Sequence, residues 1–313
     1  MKERIRLILW GTILFATTQG IGILVGLKLK ASLEYYQASF PKIYWWQFLI
    51  LFGIISLIIG KLPKIVKFSD RLFQKIAEKK TNFPQLNFNR IKEKIKIQSR
   101  WQVGFSAMIG LVGYVILGLF FRQPQTIILA VILGLAWLFF SRVWCHNFSI
   151  MLLLAFFGIV FGFSVSFRDI LIVLGILAVY DLLAVYKFKF MVELLENMIK
   201  FGIILGLIIP RLRISDFNAK LEEAVSDFGV RISKDKPERF SLVGGGDVGL
   251  PLALTISVLV NLGLSNALIV ASFSVTGVIV AYFIYFYKKE KPLPTLLPIA
   301  GFAIIGFLVS SII

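Results

Sequence analysis

Hydrophobic residues in this chain gather into long runs that are separated by mostly short polar connections. A helix needs about 20 apolar residues to cross the hydrocarbon core of a bilayer. Nine runs meet this requirement, at residues 7–27, 43–60, 103–121, 125–141, 148–167, 170–187, 242–262, 265–287 and 292–313. The pattern therefore predicts an all-α membrane protein with nine transmembrane helices and with its two termini on opposite sides of the membrane.

The amino-acid composition excludes a single soluble globule. Of the 313 residues, 58% are hydrophobic, 14% are aromatic and only 16% are charged. This leaves too little polar surface to cover a water-exposed protein of this size. A polytopic membrane protein is the class that remains.

The basic residues predict how the helices are oriented. The net charge is +17, and 29 of the 34 Lys and Arg residues fall on one side of the nine-helix scheme. Because cytoplasmic loops carry the excess of Lys and Arg, the N-terminus is predicted in the cytoplasm and the C-terminus outside. The basic loop at 61–101 could also bind nucleic acid or anionic lipid, but a solvated cytoplasmic loop is the simpler interpretation.

The chain is predicted to form one polytopic membrane domain over residues 1–313. Residues 1–187 hold the first six helices, with the basic cytoplasmic loop at 61–101. Residues 188–241 form a cytoplasmic extension of the sixth helix and a loop, and residues 242–313 hold the last three helices.

The connection after the sixth helix contains a further apolar stretch, Phe201 to Ile209. Nine residues are too few to cross the membrane, so we expect this stretch to lie along the membrane surface. The polar residues 211–240 that follow are predicted to form a cytoplasmic loop, with a short helix near 216–227.

Cys145 and His146 are the only cysteine and the only histidine. One residue of each kind excludes an internal disulfide, a multi-histidine metal centre and a histidine-based catalytic triad. The nine-helix scheme places both residues, with Arg142, in the short loop between the fourth and fifth helices. Two adjacent residues there do not make a metal site, and we predict no metal and no organic cofactor.

Two acidic residues, Asp181 and Asp247, lie inside predicted transmembrane helices. An Asp at the centre of such a helix costs about 2.5–3.5 kcal/mol on insertion scales. Asp181 lies six residues before Lys187 and Asp247 six residues after Ser241. At about 1.5 Å per helical residue, both acids lie roughly 9 Å from the cytoplasmic boundary. Two acids on consecutive helices at equal depth can face each other.

Paired carboxyl groups in a poorly solvated site tend to share one proton, so that one acts as a base and the other as an acid. This arrangement can activate water for attack on a peptide carbonyl, as in aspartic proteases. From the depth of the acids alone, two other interpretations stay open: unrelated polar contacts between helices, and a proton or cation path in a transporter.

The residues around the two acids resemble the GxGD intramembrane aspartyl proteases, the family of presenilin and signal peptide peptidase, and most closely its archaeal presenilin-like members. The sixth helix carries Tyr180-Asp181 and the seventh carries Gly244-Gly245-Gly246-Asp247, the YD and GxGD motifs of that family. The resemblance covers essentially the whole chain and implies that Asp181 and Asp247 are catalytic.

A third family motif is a Pro-Ala-Leu tripeptide at the start of the ninth helix, and the corresponding residues here are Pro294-Thr295-Leu296. Threonine replaces the family's alanine, and its hydroxyl can hydrogen-bond locally or only fill the space of a methyl group. The resemblance implies that this tripeptide shapes the site and binds substrate. Two prolines, at 292 and 294, also disfavour a regular helix there.

Four further residues are expected to support the acids. Gly244, Gly245 and Gly246 let a peptide backbone come close to the Asp247 carboxylate, although close helix packing would also explain them. Tyr180 could donate a hydrogen bond or only pack.

The resulting hypothesis is an intramembrane aspartyl endopeptidase that cleaves transmembrane segments of other membrane proteins and uses water as the nucleophile. It would be a multi-pass protein of the plasma membrane, with its active site toward the cytoplasm, with no nucleic acid partner and no implied partner subunit. A prepilin-type GxGD peptidase and an ion-coupled transporter are the alternatives. The substrate backbone is expected to pair with residues 292–296 or with part of the 211–240 loop.

Overall fold

A computed structural model describes residues 2–42, 44, 46–47, 50, 88–140, 142–185, 204–211, 213–230, 239–288 and 294–312. The predicted second helix at 43–60 and most of the loop at 61–101 lie outside these residues, as does the predicted extension of the sixth helix over 188–200.

The described residues form nine α-helices and two short strands. The helices are α1 (Lys2–Tyr35), α2 (Phe88–Leu117), α3 (Gln125–Phe139), α4 (Val143–Ser164), α5 (Phe167–Leu183), α6 (Leu221–Val230), α7 (Gly245–Leu262), α8 (Leu264–Tyr287) and α9 (Leu296–Ser310). The strands are β1 (Gly206–Pro210) and β2 (Phe240–Gly244). A 3-10 helix, Ile214–Asn218, precedes α6.

Four of these helices are long and apolar enough to cross a membrane: Glu3–Tyr35 within α1, and α4, α7 and α8. Shorter apolar helices cover Gln102–Leu117, Gln125–Phe139 and Leu296–Ser310. The chain is thus a mostly helical, multi-pass membrane protein, and eight of the nine predicted runs coincide with described helices. The count of nine and the orientation of the termini stay predictions.

Helix α7 lies at the centre of the bundle. Every residue from Val248 to Leu259 is buried, as expected for a helix that is apolar on all sides. A side chain at Gly22 of α1 or at Gly158 of α4 would come within 2.6 Å of Leu252. Glycines on two neighbouring helices therefore let α1 and α4 approach α7 from two sides, which is how small residues pack transmembrane helices.

The two strands pair antiparallel, from Gly206 opposite Gly244 to Pro210 opposite Phe240. The prediction of an all-helical chain missed this pair. Residues 201–203 lie outside the described residues, and Gly206–Pro210 is a strand whose five residues are all buried, so a location of Phe201–Ile209 along the membrane surface stays a prediction. Hydropathy identified an apolar segment but not its pairing partner, which lies more than 30 residues further along the chain.

The strand pair also changes where the predicted seventh helix begins. Residues 242–244 belong to β2, and α7 begins at Gly245, with Gly244 in an extended conformation just before it. The polar residues between the strands contain the 3-10 helix and α6, so the short helix expected near 216–227 is present as two helical segments.

Candidate active site

Asp181 lies in the last turn of α5 and is 5% exposed. Its Oδ2 accepts a hydrogen bond of 3.2 Å from the backbone N–H of Leu296, the first residue of α9. The side chain is thus held inside the bundle by the backbone of another helix.

Asp247 lies in the first turn of α7, directly after β2. Its Oδ2 atom accepts a hydrogen bond from the Thr295 hydroxyl, and its carboxyl group lies beside Gly244. The contact with Gly244 is the one that a carboxyl group in the third position of a helix makes to the residue before the helix. The first turn of a helix also carries free N–H groups, which stabilise a negative charge there.

Thr295 and Leu296 are consecutive residues, and each of them holds one of the two acids. The expectation from helix depth was that Asp181 and Asp247 could face each other. The structure brings both carboxyl groups to two consecutive residues, with Asp247 at the Thr295 hydroxyl and Asp181 at the Leu296 N–H. The described residues thus place two acids, held by separate hydrogen bonds, at the start of α9.

The three glycines before Asp247 differ in what surrounds them. A Cβ atom at Gly244 would lie 3.1 Å from Oδ2 of Asp247, and one at Gly245 would lie 2.9 Å from the backbone oxygen of Leu205. A Cβ atom at Gly246 would meet nothing within 4 Å. Gly244 and Gly245 therefore permit close contacts inside the protein, whereas Gly246 leaves open space beside Asp247.

Two further predicted site residues, Pro294 and Tyr180, are sequence neighbours of Thr295 and Asp181. Pro294 is buried next to Thr295. Tyr180 precedes Asp181 but is 37% exposed, and no hydrogen bond between described residues joins its hydroxyl to either acid. Successive helix residues point about 100° apart, so a neighbour in sequence need not share a face.

The structure places two polar residues near the site that the sequence analysis assigned elsewhere. Cys145 and His146 are not in a loop, because α4 already begins at Val143 and both residues are buried in its first turn. Asn147 is buried beside them, and it hydrogen-bonds the backbone of Ile208 in β1. A signal was present in the sequence, since adjacent His and Asn residues at the start of an apolar helix need polar partners.

A charged cluster lies on the polar side of β2, where the loop from β1 returns. The Asp227 carboxylate accepts hydrogen bonds from the backbone N–H groups of Arg239 and Phe240, at 3.1 and 3.0 Å. The Arg239 guanidinium contacts Asp216 at 2.7 Å and Glu223 at 2.8 Å. Hydrogen bonds to Asp216 raise the pKa of Arg239 above its ordinary value, so Arg239 stays charged and ties this loop to the beginning of β2.

Within the part of the chain that the structure describes, no group of three or more His, Cys, Asp or Glu side chains could hold a metal ion.

Two acids brought together inside a bundle of apolar helices define the class of intramembrane aspartic proteases. The model of the family "signal-peptide peptidase, presenilin aspartyl protease" matches residues 90–313, and the chain belongs to this family. It is accordingly an intramembrane aspartic protease, a hydrolase, as the resemblance implied.

Solved structures agree in fold. Two crystal structures of a presenilin family intramembrane aspartate protease, in space groups C222 and P2, are similar to this chain. The first is 19% identical with a TM-score of 0.54, and the match covers 97% of this chain and 98% of the chain in that structure. The second is 21% identical with a TM-score of 0.53 and covers 97% of each. No curated protein sequence matches the chain.

Proposed function

We propose that Asp181 and Asp247 form the catalytic dyad and hydrolyse peptide bonds within or next to transmembrane segments of other membrane proteins. The observation that supports this most strongly is the contact of both acids with consecutive residues, Thr295 and Leu296. Unrelated polar contacts between helices would not require two consecutive residues to hold two separate carboxyl groups.

The two carboxyl groups are proposed to share one proton. The ionised carboxyl group takes a proton from the attacking water, and the protonated one stabilises the developing oxyanion. Asp247 lies in the first turn of α7 and Asp181 in the last turn of α5, and the shared proton belongs to the pair.

The hydrogen bonds leave one oxygen of each acid for this reaction. Thr295 and Leu296 bind the Oδ2 atoms of Asp247 and Asp181, respectively, so their polar donors are occupied by the acids. Residues 294–296 are thus proposed to position the dyad, in addition to the substrate-binding role that the sequence suggested. Tyr180 and Gly246 remain candidates for contact with substrate.

A transmembrane helix must lose its own hydrogen bonds before it can be cut, and its peptide groups then need new partners. Strand β2 is the proposed partner, because Leu242 has an N–H and a C=O that face away from β1 and have no partner among the described residues. The strand leads directly to Asp247. A substrate strand added to β2 would therefore lie beside the acids.

The charge asymmetry of the loops supports an N-terminus in the cytoplasm and nine spans, with the dyad toward the cytoplasmic face of the plasma membrane. The proposed partners are transmembrane segments of substrate proteins and the surrounding lipid. A cysteine-labelling map that places the 61–101 loop outside would contradict this orientation.

Cleavage of a single-span peptide by the purified protein in detergent tests the proposed function. We expect products cut within or beside the apolar span, identified by mass spectrometry. The matching control is the same protein in liposomes, assayed for proton and cation flux. Flux that depends on Asp181 and Asp247, without cleavage of several different single-span peptides, would contradict the proposal and support a transporter.

A further inference from the structure

The outer edge of β1 is covered by side chains from α4. Asn147 donates a 2.7 Å hydrogen bond from Nδ2 to the backbone oxygen of Ile208, and its Oδ1 accepts one of 2.8 Å from the Ile208 N–H. His146 Nε2 lies 3.2 Å from the backbone oxygen of Gly206. A carbonyl oxygen only accepts, so Nε2 is the ring nitrogen that carries the hydrogen.

The ladder explains why these peptide groups need partners. The Gly245 N–H donates to the Leu205 oxygen, and the Arg211 N–H donates to the Arg239 oxygen. In an antiparallel ladder every second pair of opposite residues exchanges hydrogen bonds, so the bonded pairs here are those of odd-numbered residues. Gly206 and Ile208 belong to the alternate pairs, which do not bond each other and whose N–H and C=O groups point away from β2. Asn147 satisfies both groups of Ile208 as a neighbouring strand would.

The two edges of the sheet therefore differ. On the edge of β1, Asn147 and His146 bind backbone atoms, and Pro210 has no N–H to offer. On the edge of β2, Asp227 accepts a hydrogen bond from the N–H of the first residue, Phe240. The N–H and C=O groups of Leu242 have no partner among the described residues. An added strand can pair with β2 but finds β1 already occupied.

We propose that Asn147, assisted by His146, is a positioning residue that takes the place of a third strand and sets the register at which substrate meets the acids. This inference rests on the proposed function. Asn147 fixes Ile208 relative to α4, and the ladder fixes Leu242 opposite Ile208. Leu242 and Asp247 are five residues apart, with the start of α7 between them. A shift of β1 along α4 would therefore move the substrate-binding edge relative to the dyad.

The hydrogen bonds from Asn147 and His146 to β1 lie in the buried interior. Asn147 is 2% exposed, His146 is 1% exposed and Ile208 is fully buried. Water cannot replace a lost partner easily there, so a variant must either keep both hydrogen bonds or move the strand to find others.

The positions of cleavage in a single-span peptide, read by mass spectrometry, test the inference in two variants. Asn147→Gln keeps the amide but moves it by one methylene, and Asn147→Ala removes it. We expect both variants to cut at additional or shifted peptide bonds and kcat to fall by up to about 10²-fold, as for misplacement of about 1 Å. Loss of folded protein alone would lower the yield of products without changing where they are cut.

Ser106→Ala is the matched control, since Ser106 donates a buried hydrogen bond to the backbone oxygen of Gly134 in α3 and not to a strand. It should lower Tm while leaving the cleavage positions of wild type. Wild-type positions and kcat in folded Asn147→Gln would overturn the inference without affecting the proposed function, which requires only that wild type cleaves.

Hydrogen–deuterium exchange of the wild-type protein tests the same inference without a variant, and so still applies where both Asn147 variants fail to fold. We expect the Ile208 amide to exchange at least about tenfold more slowly than the Leu242 amide, because only the first has a partner among the described residues. Equal rates at the two positions would overturn the inference.

Discussion

Asp181→Asn and Asp247→Asn are each expected to lower kcat for cleavage of a single-span peptide by at least about 10²- to 10⁴-fold, the usual contribution of an acid or base. An Asn side chain has the shape of Asp and can still accept the hydrogen bonds from Leu296 or Thr295. It cannot take a proton from water or donate one in the way a carboxyl group does. Initial rates with purified variants measure the effect.

Stability separates this loss from misfolding. Each Asn variant replaces an ionisable group in a poorly solvated site with a neutral one, so Tm should not fall. Asp169→Asn is the matched control, because Asp169 lies in the first turn of the same helix as Asp181 but contacts neither acid. Asp169→Asn should keep the wild-type kcat. A kcat within threefold of wild type in either dyad variant would remove that acid from the mechanism.

Gly206→Ala is expected to abolish cleavage by breaking the strand pair that positions Asp247. An added Cβ atom would lie 2.5 Å from the backbone oxygen of Val243, a distance that real Cβ contacts do not reach. Because the obstacle is backbone in the neighbouring strand, the ladder itself must shift. We expect a fall in Tm and a loss of kcat of about 10²-fold or more, since small displacements at a site are costly.

Gly175→Ala is the control for this substitution. Gly175 lies within α5, and its Cβ atom would meet nothing within 4 Å. Alanine is favoured over glycine in a helix by up to about 1 kcal/mol, so Tm should stay equal or rise and kcat should stay at the wild-type value. Equal Tm and equal kcat in Gly206→Ala and wild type would contradict the assigned role of the strand pair.

The sequence allowed the membrane class and the position of the two acids to be predicted. Long apolar runs are a strong signal, because the bilayer requires both length and internal hydrogen bonding. Asp181 and Asp247 stand out against those runs, and their equal distance from the cytoplasmic boundary suggested that they meet. Fold and family comparisons confirm the protease class that the YD and GxGD motifs indicated.

The strands could not be predicted in the same way. Gly206–Pro210 and Phe240–Gly244 are five residues each and are separated by a polar segment, so their pairing depends on tertiary contacts. The prediction that His146 lies in a loop failed for a related reason. Hydropathy ends a span at polar residues, but Asn147 and His146 are polar because they bind the buried backbone of β1.

The role of the Thr295 hydroxyl could be decided only from the folded structure. The sequence left two roles open, a local hydrogen bond or a substitute for a methyl group. The structure has the hydroxyl bound to Asp247, one residue before the backbone N–H that binds Asp181. Two acids that are 66 residues apart in sequence are thus joined through a segment that begins its contacts at Thr295, 48 residues after Asp247.

Binding of a hydroxyl-isostere peptide inhibitor tests the shared site most directly, because binding is measured without turnover. The hydroxyl group of such a compound occupies the place of the attacking water between two carboxyl groups. The account predicts that wild type binds one inhibitor per chain and that Asp181→Asn and Asp247→Asn each weaken binding at least about tenfold, since each loses a carboxyl partner of the inhibitor's hydroxyl group. Wild-type affinity in both variants would contradict the claim that Asp181 and Asp247 form one catalytic site.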